Sequence, residues 1–311
     1  MLAYLGKRFL FLIPLWLGLS LIAFFFLQLT PGDPAEILLR KEGIEPTPEA
    51  LHSLRRELGL EDAFHLQYGR WLWKVIQLDF GTSYRTGESV AKEIFRRLPA
   101  TLELTFASFF LMVTIALSVG LLSTLKEHRT FDRIGLILAI IGASIPGFWL
   151  GLLLIYLFSV TLGWFPVMGR GGLSYIVLPA ITLGFGAAVT QARLLRTSLI
   201  EVLRKDFITV ARAKGLSQAR ILLRHALPNG LLPLLTTFGM VLGRLLSGAV
   251  IVETIFAWPG IGRMTIEAIL QRDYPIIQAY VLLTATIFVL INLCVDVGYR
   301  LLDPRIELGS K

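Results

Sequence analysis

Six apolar runs, each about as long as a membrane-crossing helix, constrain this sequence more than any other feature. They cover residues 9–29, 104–125, 134–162, 176–192, 231–252 and 276–297. A helix needs about 20 mostly apolar residues to cross the hydrocarbon core of a bilayer. Hydrophobic residues make up 55% of the chain and charged residues 17%, against roughly 25% charged in soluble domains. The sequence therefore predicts an all-α polytopic membrane protein with six transmembrane helices.

Two of these runs have features beyond their length, a possible signal peptide in the first and a proline in the third. The first is longer than the apolar part of a signal peptide, and no small-x-small cleavage site precedes LTPGDP, so we expect a retained anchor. The third contains Pro146, and a proline inside a helix removes a backbone hydrogen bond, which predicts one tilted and bent span.

The basic residues predict the orientation of the spans, because cytoplasmic loops of membrane proteins are enriched in Lys and Arg. Residues 193–224 hold eight basic and two acidic residues, whereas residues 253–273 hold two basic and three acidic ones. Further basic residues lie before the first span and between the second and third, at Lys7, Arg8, Lys126, Arg129 and Arg133. Both termini are therefore predicted to be cytoplasmic, and topology accounts for the net charge of +8.

The connection between the first two spans is external in this topology and much longer than a turn. It holds ten basic and eleven acidic residues between positions 30 and 99. Thr47 is placed to cap a helix that has Pro48 at its first position, and Gly59 suits the end of that helix. We expect a small external subdomain here, with the aromatic run after Trp71 at the membrane boundary.

The segment RKDFITVARAKGLSQARILLRHALPN, residues 204–229, has the pattern of a basic helical hairpin. Gly215 is the residue type expected just past a helix end, and Ser217 is placed to cap a second helix that Pro228 would end. Helical spacing predicts one apolar face in each half: Leu203, Phe207, Val210, Ala211 and Lys214 in the first, and Leu216, Ala219, Leu223 and Leu227 in the second.

The residues alone leave three interpretations of this hairpin. A DNA-binding helix–turn–helix lacks the further helix that a soluble core requires, and spans begin close by on both sides. A loop lying on anionic lipid would account for the charge alone. A docking element would expose a small shaped surface that a soluble cytoplasmic partner grips and moves.

At this point the sequence resembles the membrane permeases of binding-protein-dependent ABC importers. Their cytoplasmic loop has the pattern EAA, three residues, Gly, and an LP whose Pro lies thirteen residues after the Gly. Gly215, Leu227 and Pro228 fit this spacing and Ala211 matches the last Ala, while Thr209 and Val210 depart from the pattern. The resemblance extends along nearly the whole chain through further motifs: LTPGDPA, PATLEL, ETIFAWPGIGR, RDYP, NLCVDVGY and LDPRI.

The resemblance implies a type I importer in the bacterial inner membrane, with an extracytoplasmic binding protein. Two permeases would form the path and two ATPase subunits would bind beneath them. The chain has no GxxxxGK[ST] sequence, so no cofactor is expected in it, and ATP and Mg²⁺ belong to the partner subunits. The implied ATPase-coupling residues are Thr209, Ala211, Arg212, Gly215, Leu216, Ser217, Arg220, Leu227 and Pro228.

The predicted organisation follows from the spans and this resemblance. Residues 1–30 form the N-terminal anchor and first transmembrane helix, and residues 31–98 form the external subdomain. Residues 99–303 form a five-helix permease core with the coupling loop at 197–229, and residues 304–311 form a cytoplasmic tail. The expected function is non-enzymatic, as half of an ATP-driven translocation path; a stand-alone channel or secondary transporter is the alternative from another class.

Within this family the resemblance favours nickel or a nickel chelate over dipeptides and oligopeptides as the substrate. The connection after GWFP is short, and YGRWLWKVIQLDFG is similar to nickel permeases. The side chains do not distinguish nickel from peptides. None of the four histidines lies in a predicted span, and no metal-ligand set is predicted.

Charged and small residues in the spans provide further candidates. Glu103, Arg244 and Asp296 lie in or at the edges of spans, where ionisable groups are costly, and Arg244 would pair with one of the two acids or line the path. Gly239, Gly243 and Ser247 form a small-residue face for helix packing, either inside this subunit or against the partner permease. We expect an external gate or a binding-protein contact at Trp258, Pro259, Gly260 and Gly262.

Overall fold

The computed structural model describes residues 13–25, 33–41, 43–125 and 145–302, and the side chains of 41, 236, 292 and 295–302 lie outside this description. Within these ranges the chain is helical, and the β-type pairing is one isolated bridge between Thr82 and Ser89. Lys7, Arg8, Lys126, Arg129, Arg133 and the predicted tail at 304–311 fall outside the described residues.

The described helices run as follows: α1 Ile13–Phe25, α2 Pro34–Lys41, α3 Pro48–Glu57, α4 Phe64–Ile76, α5 Val90–Leu125, α6 Gly147–Leu154, α7 Leu173–Leu203, α8 Asp206–Ala213, α9 Gln218–Ile221, α10 Leu227–Gly230, α11 Leu232–Ile255, α12 Ile261–Leu270 and α13 Tyr274–Leu302. A π-helix Ile155–Thr161 continues α6, and a second one, Leu222–Ala226, joins α9 to α10.

The predicted spans correspond to apolar helices. Four described stretches are long and apolar enough to cross a membrane: Val90–Leu125, Leu173–Leu203, Thr237–Ile255 and Tyr274–Ile291. The first and third predicted spans coincide with the shorter apolar helices Ile13–Phe25 and Gly147–Thr161, and residues 134–144 lie outside the described residues. The prediction of an all-helical polytopic fold is confirmed.

Two details of the spans differ from the sequence prediction. Pro146 occupies the N-cap position of α6, so this helix begins after it, and residues 134–144 of the predicted bent span lie outside the described residues. Helix α7 continues for eleven residues beyond the predicted end at 192, to Leu203, so the first part of the predicted basic loop is a helical extension of the span. A helix that leaves the bilayer need not end where the basic residues begin, at Arg193.

The chain divides into two compact units, which are described separately. The first consists of residues 1–99 and 264–290 and the second of residues 100–263 and 291–311. The predicted division at 30, 98 and 303 concerns membrane topology, whereas these units are defined by contacts, so that division stays a prediction.

In the first unit, the helices of the predicted external subdomain pack on α1 through aromatic rings. Phe24 of α1 lies 5.4 Å from the ring centroids of Phe64 and Trp71 and 5.6 Å from that of Tyr68. The predicted cap of α3 is confirmed, because the Thr47 hydroxyl accepts a hydrogen bond from the Ala50 N–H at 3.3 Å. Side-chain rings thus fix this subdomain to the first apolar helix.

In the second unit, helix α7 is the central packing element. Its Leu178, Ala188, Leu195 and Leu199 enter three successive clusters of buried side chains along its length. Helices α5 and α11 supply the facing residues, among them Leu104, Met112, Leu234, Val241 and Val252. Since lipid is as apolar as these side chains, close van der Waals packing is what holds such helices together.

Candidate functional site

The basic hairpin bends at Gly215, as the sequence predicts. Gly215 has φ +75°, its N–H donates to the Arg212 carbonyl at 2.9 Å, and the Leu216 N–H donates to the Ala211 carbonyl at 3.4 Å. A Cβ added at Gly215 would meet nothing within 4 Å, so the glycine is required by the backbone conformation and not by lack of space. Ser217 occupies the N-cap position of α9 without a capping hydrogen bond from its side chain.

The predicted apolar faces of the hairpin are confirmed in part. Its core consists of Ile208, Ala211 and Ile221, with Leu203 and Leu216 packed against them, so the predicted Ala211, Leu203 and Leu216 belong to it. Phe207, Val210 and Leu223, which the helical pattern placed on the buried faces, are 42%, 55% and 56% exposed, and Ala219 is exposed as well. The two helices are only eight and four residues long, so helical spacing alone does not determine which side of each is buried.

The second half of the hairpin is joined directly to the spans. Leu222 and Ala226, on the π-helix, pack against Leu195 and Leu199 of α7 and Leu234 of α11. Pro228 was predicted to end the helix, but it lies in the first turn of α10, where no backbone donor is needed. The hairpin is therefore held to α7 and α11 by a continuous buried contact.

The structure places most of the predicted coupling residues on the hairpin surface. Six of them are exposed: Thr209, Arg212, Gly215, Ser217, Arg220 and Pro228. Leu216 and Leu227 are half-buried, and Ala211 belongs to the core. Exposed apolar residues lie among exposed basic ones, an arrangement typical of a docking surface. Their role in ATPase coupling stays a prediction.

A buried carboxyl group organises the loop that follows α11. Glu253 is fully buried, accepts a hydrogen bond from the Thr101 hydroxyl at 2.6 Å and another from the Arg263 N–H at 2.9 Å. The Thr101 oxygen in turn accepts from the Ile261 N–H at 2.9 Å. The unpaired N–H groups at the start of α12 are thus satisfied by side chains from α5 and α11.

Two glycines leave the space for this carboxyl group. A Cβ on Gly260 would lie 2.1 Å from Glu253 Oε1, and one on Gly262 would lie 2.7 Å from the Val250 Cα. Trp258 is fully buried, and its indole N–H donates to the Ala100 carbonyl at 2.8 Å. Three of the four residues predicted for an external gate or contact therefore hold the loop in place, and Pro259 is the exposed one.

The connection before α7 is attached to the same loop. Arg170 contacts the Glu103 carboxylate through Nε at 2.8 Å and Nη2 at 2.5 Å, and its guanidinium lies 5.9 Å from the Trp258 ring centroid. The Gly169 N–H donates to the Phe256 carbonyl at 2.8 Å. Glu103, one of the acids considered as a partner of Arg244, is thus paired with Arg170.

The first unit contains a comparable clamp around Asp273. Its buried carboxylate accepts from the Ser83 hydroxyl, from the Tyr84 N–H at 3.0 Å and from the Arg85 N–H at 3.1 Å. Burial, with the nearby charge of Asp273 and then Tyr274, raises the pKa of the Tyr84 phenol to about 12. The phenol is therefore uncharged at physiological pH, and the clamp joins the turn at 82–86 to the RDYP motif.

The small and charged residues of α11 lie on different faces. Gly239 and Gly243 are buried within the chain, as packing inside this subunit requires, whereas Arg244 and Ser247 are exposed. The Ser247 hydroxyl donates to the Gly243 carbonyl at 3.1 Å. The side chain of Asp296, the other predicted partner of Arg244, lies outside the described residues.

Sequence reasoning missed Glu253 and Thr101, although both lie in motifs that it singled out. They are 152 residues apart, so no local pattern shows that they meet. In the part of the chain that the structure describes, no group of three or more His, Cys, Asp or Glu side chains has the arrangement of a metal site.

The described helices include four of membrane-crossing length and composition, and a basic hairpin is packed against two of them, as in an integral membrane protein. The chain belongs to the family of inner membrane components of binding-protein-dependent transport systems, whose sequence model matches residues 95–308. The N-terminal model of these membrane components matches residues 1–105. The protein is thus a permease subunit of an ABC importer.

Relatives and a solved structure agree with this assignment. The chain is 39% identical to the dipeptide transport system permease of Alkalihalophilus pseudofirmus, covering 99% of this chain and 100% of that one. It is 41% identical to the glutathione transport system permease of Salmonella paratyphi A, covering 99% of both. A methionine ABC transporter solved in an inward-facing conformation has 24% identity and a TM-score of 0.56, over 68% of this chain and 96% of that one, and shows the same fold.

These relatives do not support the sequence-based preference for nickel, because the transport systems named for them carry a dipeptide and glutathione.

Proposed function

We propose that this chain is one of two permeases in an ATP-driven importer of small peptides, with the basic hairpin as its contact to the ATPase. The observation that carries the proposal is the hairpin itself. Its buried side is fixed to α7 and α11, while its outer side presents Phe207, Val210 and Leu223 among basic residues. A movement of the hairpin would therefore move two spans.

The relatives support a small peptide as the substrate. The transport systems named for them carry dipeptides, glutathione and di/tripeptides. Each of these relatives aligns over 99% of this chain at 39–41% identity. Glutathione, itself a tripeptide, is therefore the first substrate to test.

The substrate is tested by uptake into proteoliposomes that contain this chain, its partner permease, the ATPase subunits and the binding protein. We expect saturable uptake of a labelled tripeptide such as glutathione, unaffected by excess nickel. Uptake of labelled nickel, unaffected by excess tripeptide, would overturn the peptide assignment and restore the nickel one.

The hairpin contact makes a separate prediction. Val210→Asp places a charge on the exposed apolar surface without touching the hairpin core, so we expect at least a ten-fold loss of ATPase subunits that co-purify with the permease. Leu270→Asp is the matched control, because Leu270 is an exposed leucine of α12, outside the hairpin. Equal co-purification of ATPase with the two variants would contradict the hairpin as its docking site.

The proposed topology places the hairpin and both termini in the cytoplasm and the Trp258 loop outside. Pro259, exposed at the tip of that loop, would then contact the binding protein or the external gate, while Trp258, Gly260 and Gly262 position it. ATP and Mg²⁺ bind to the partner subunits in this arrangement, and the buried Gly239 and Gly243 serve helix packing inside this subunit.

A further inference from the structure

The exposed face of helix α11 differs from a surface that faces lipid. Met240, Arg244, Ser247, Ile251 and Thr254 are exposed at helical spacing along it. On α5, the exposed residues at the same spacing are Phe106, Phe110, Thr114 and Ser118, and none of them is charged. The charged residue Arg244 therefore distinguishes the α11 face and indicates that it meets water or a polar partner.

Arg244 lies inside the apolar part of this helix. Helix α11 runs from Leu232 to Ile255, and its stretch of membrane-crossing length and composition from Thr237 to Ile255. At about 1.5 Å per residue, the Arg244 Cα is roughly 10 Å from the start of that stretch and roughly 17 Å from its end. A charge within such a stretch is costly unless water or a polar group meets it.

The guanidinium has no ion pair or hydrogen bond within the part of the chain that the structure describes. The neighbouring hydroxyls of the face are satisfied by their own helix, since Ser247 donates to the Gly243 carbonyl and Thr254 to the Val250 carbonyl. Glu103, a candidate partner, is occupied by Arg170. Arg244 is thus the group on this face with unused hydrogen-bonding capacity.

We propose that Arg244 lines the translocation path and binds a carboxylate of the peptide during its passage. A guanidinium presents a planar set of donors that matches the two oxygens of a carboxylate, and every unmodified peptide carries such a group at its C-terminus. The residue would thereby favour peptides with a free carboxylate over neutral or cationic solutes. This inference rests on the proposed function, because it names the group of the substrate that is recognised.

The test uses the assembled complex in proteoliposomes with the single cysteine of the chain replaced, as Cys294→Ser. In that background Arg244→Cys should reduce tripeptide uptake at least ten-fold. A water-soluble methanethiosulfonate that adds an ammonium group should restore at least a third of the uptake, because it replaces the positive charge. A neutral methyl reagent of the same type should restore none.

Phe110→Cys is the control for a lipid-facing position, and the ammonium reagent should leave it unmodified. Any one of three results would overturn the proposal: restoration of uptake by the neutral reagent, unchanged uptake in Arg244→Gln, or absence of modification at Arg244→Cys. Absence of modification would show that lipid or an acidic group of the second permease covers this residue. Failure of the Cys294→Ser complex to import any peptide would instead contradict the proposed function.

Discussion

Glu253→Ala is expected to destabilise the permease by about 3 kcal/mol or more. The substitution removes the acceptor of two hydrogen bonds, from the Thr101 hydroxyl and the Arg263 N–H, in a fully buried site. Hydrogen bonds to a carboxylate contribute about 1.5–3 kcal/mol each, and donors left buried without a partner add to the loss. Thermal unfolding of the purified complex in detergent measures the change.

The control for this substitution is Thr254→Val, one residue further along α11 on its exposed face. It should change the unfolding midpoint much less than Glu253→Ala. Equal midpoints for Glu253→Ala and the wild type would show that the loop does not depend on this carboxyl group.

Gly260→Ala tests the same site by crowding it. Its Cβ would overlap the Glu253 carboxyl, at 2.1 Å from Oε1 and 2.2 Å from Cδ, and overpacking of this kind costs about 1–3 kcal/mol. In the Glu253→Ala background the overlapping atoms are gone, so Gly260→Ala should then cost much less. Additive effects of the two substitutions would contradict the close contact between them.

Gly215→Val is expected to separate ATP hydrolysis from uptake. A β-branched residue strongly disfavours φ +75°, so the bend between α8 and α9 should be lost and the surface they form should change shape. We expect at least a ten-fold decrease in tripeptide imported per ATP hydrolysed. Substrate-stimulated ATPase activity and uptake in the same proteoliposomes give this ratio.

Gly215→Asn is the matched variant, because asparagine tolerates the left-handed conformation and nothing lies within 4 Å of the new Cβ. It should retain most of the coupling ratio, with Gly215→Ala between the two. An equal loss in the asparagine and valine variants would show that side-chain size matters and not backbone conformation, and unchanged uptake in Gly215→Val would contradict the role of the bend.

Features that depend on local sequence were predictable. The spans follow from composition over about 20 residues, the cap at Thr47 from a three-residue spacing, and the bend at Gly215 from the backbone freedom of one residue. In each case the physical cause lies within the segment itself, so the sequence around it is sufficient.

Features that depend on distant contacts were not predictable. The helical pattern placed Ala211 correctly in the core of the hairpin, but it also put the exposed Phe207 and Val210 there and missed Ile208 and Ile221. Which side of so short a helix is buried depends on its neighbours in space. The pairing of Glu253 with Thr101 is of the same kind, since a buried acid can be interpreted only when its donors are known.

The central claim is that this permease works only when a separate ATPase drives it through the hairpin. The most direct test measures tripeptide uptake into proteoliposomes containing the two permeases, with and without the ATPase subunits, binding protein and ATP. We predict uptake only with all three added, and loss of it in Gly215→Val. Uptake by this chain alone, driven by an ion gradient in the absence of ATP, would contradict the account and make the protein a secondary transporter.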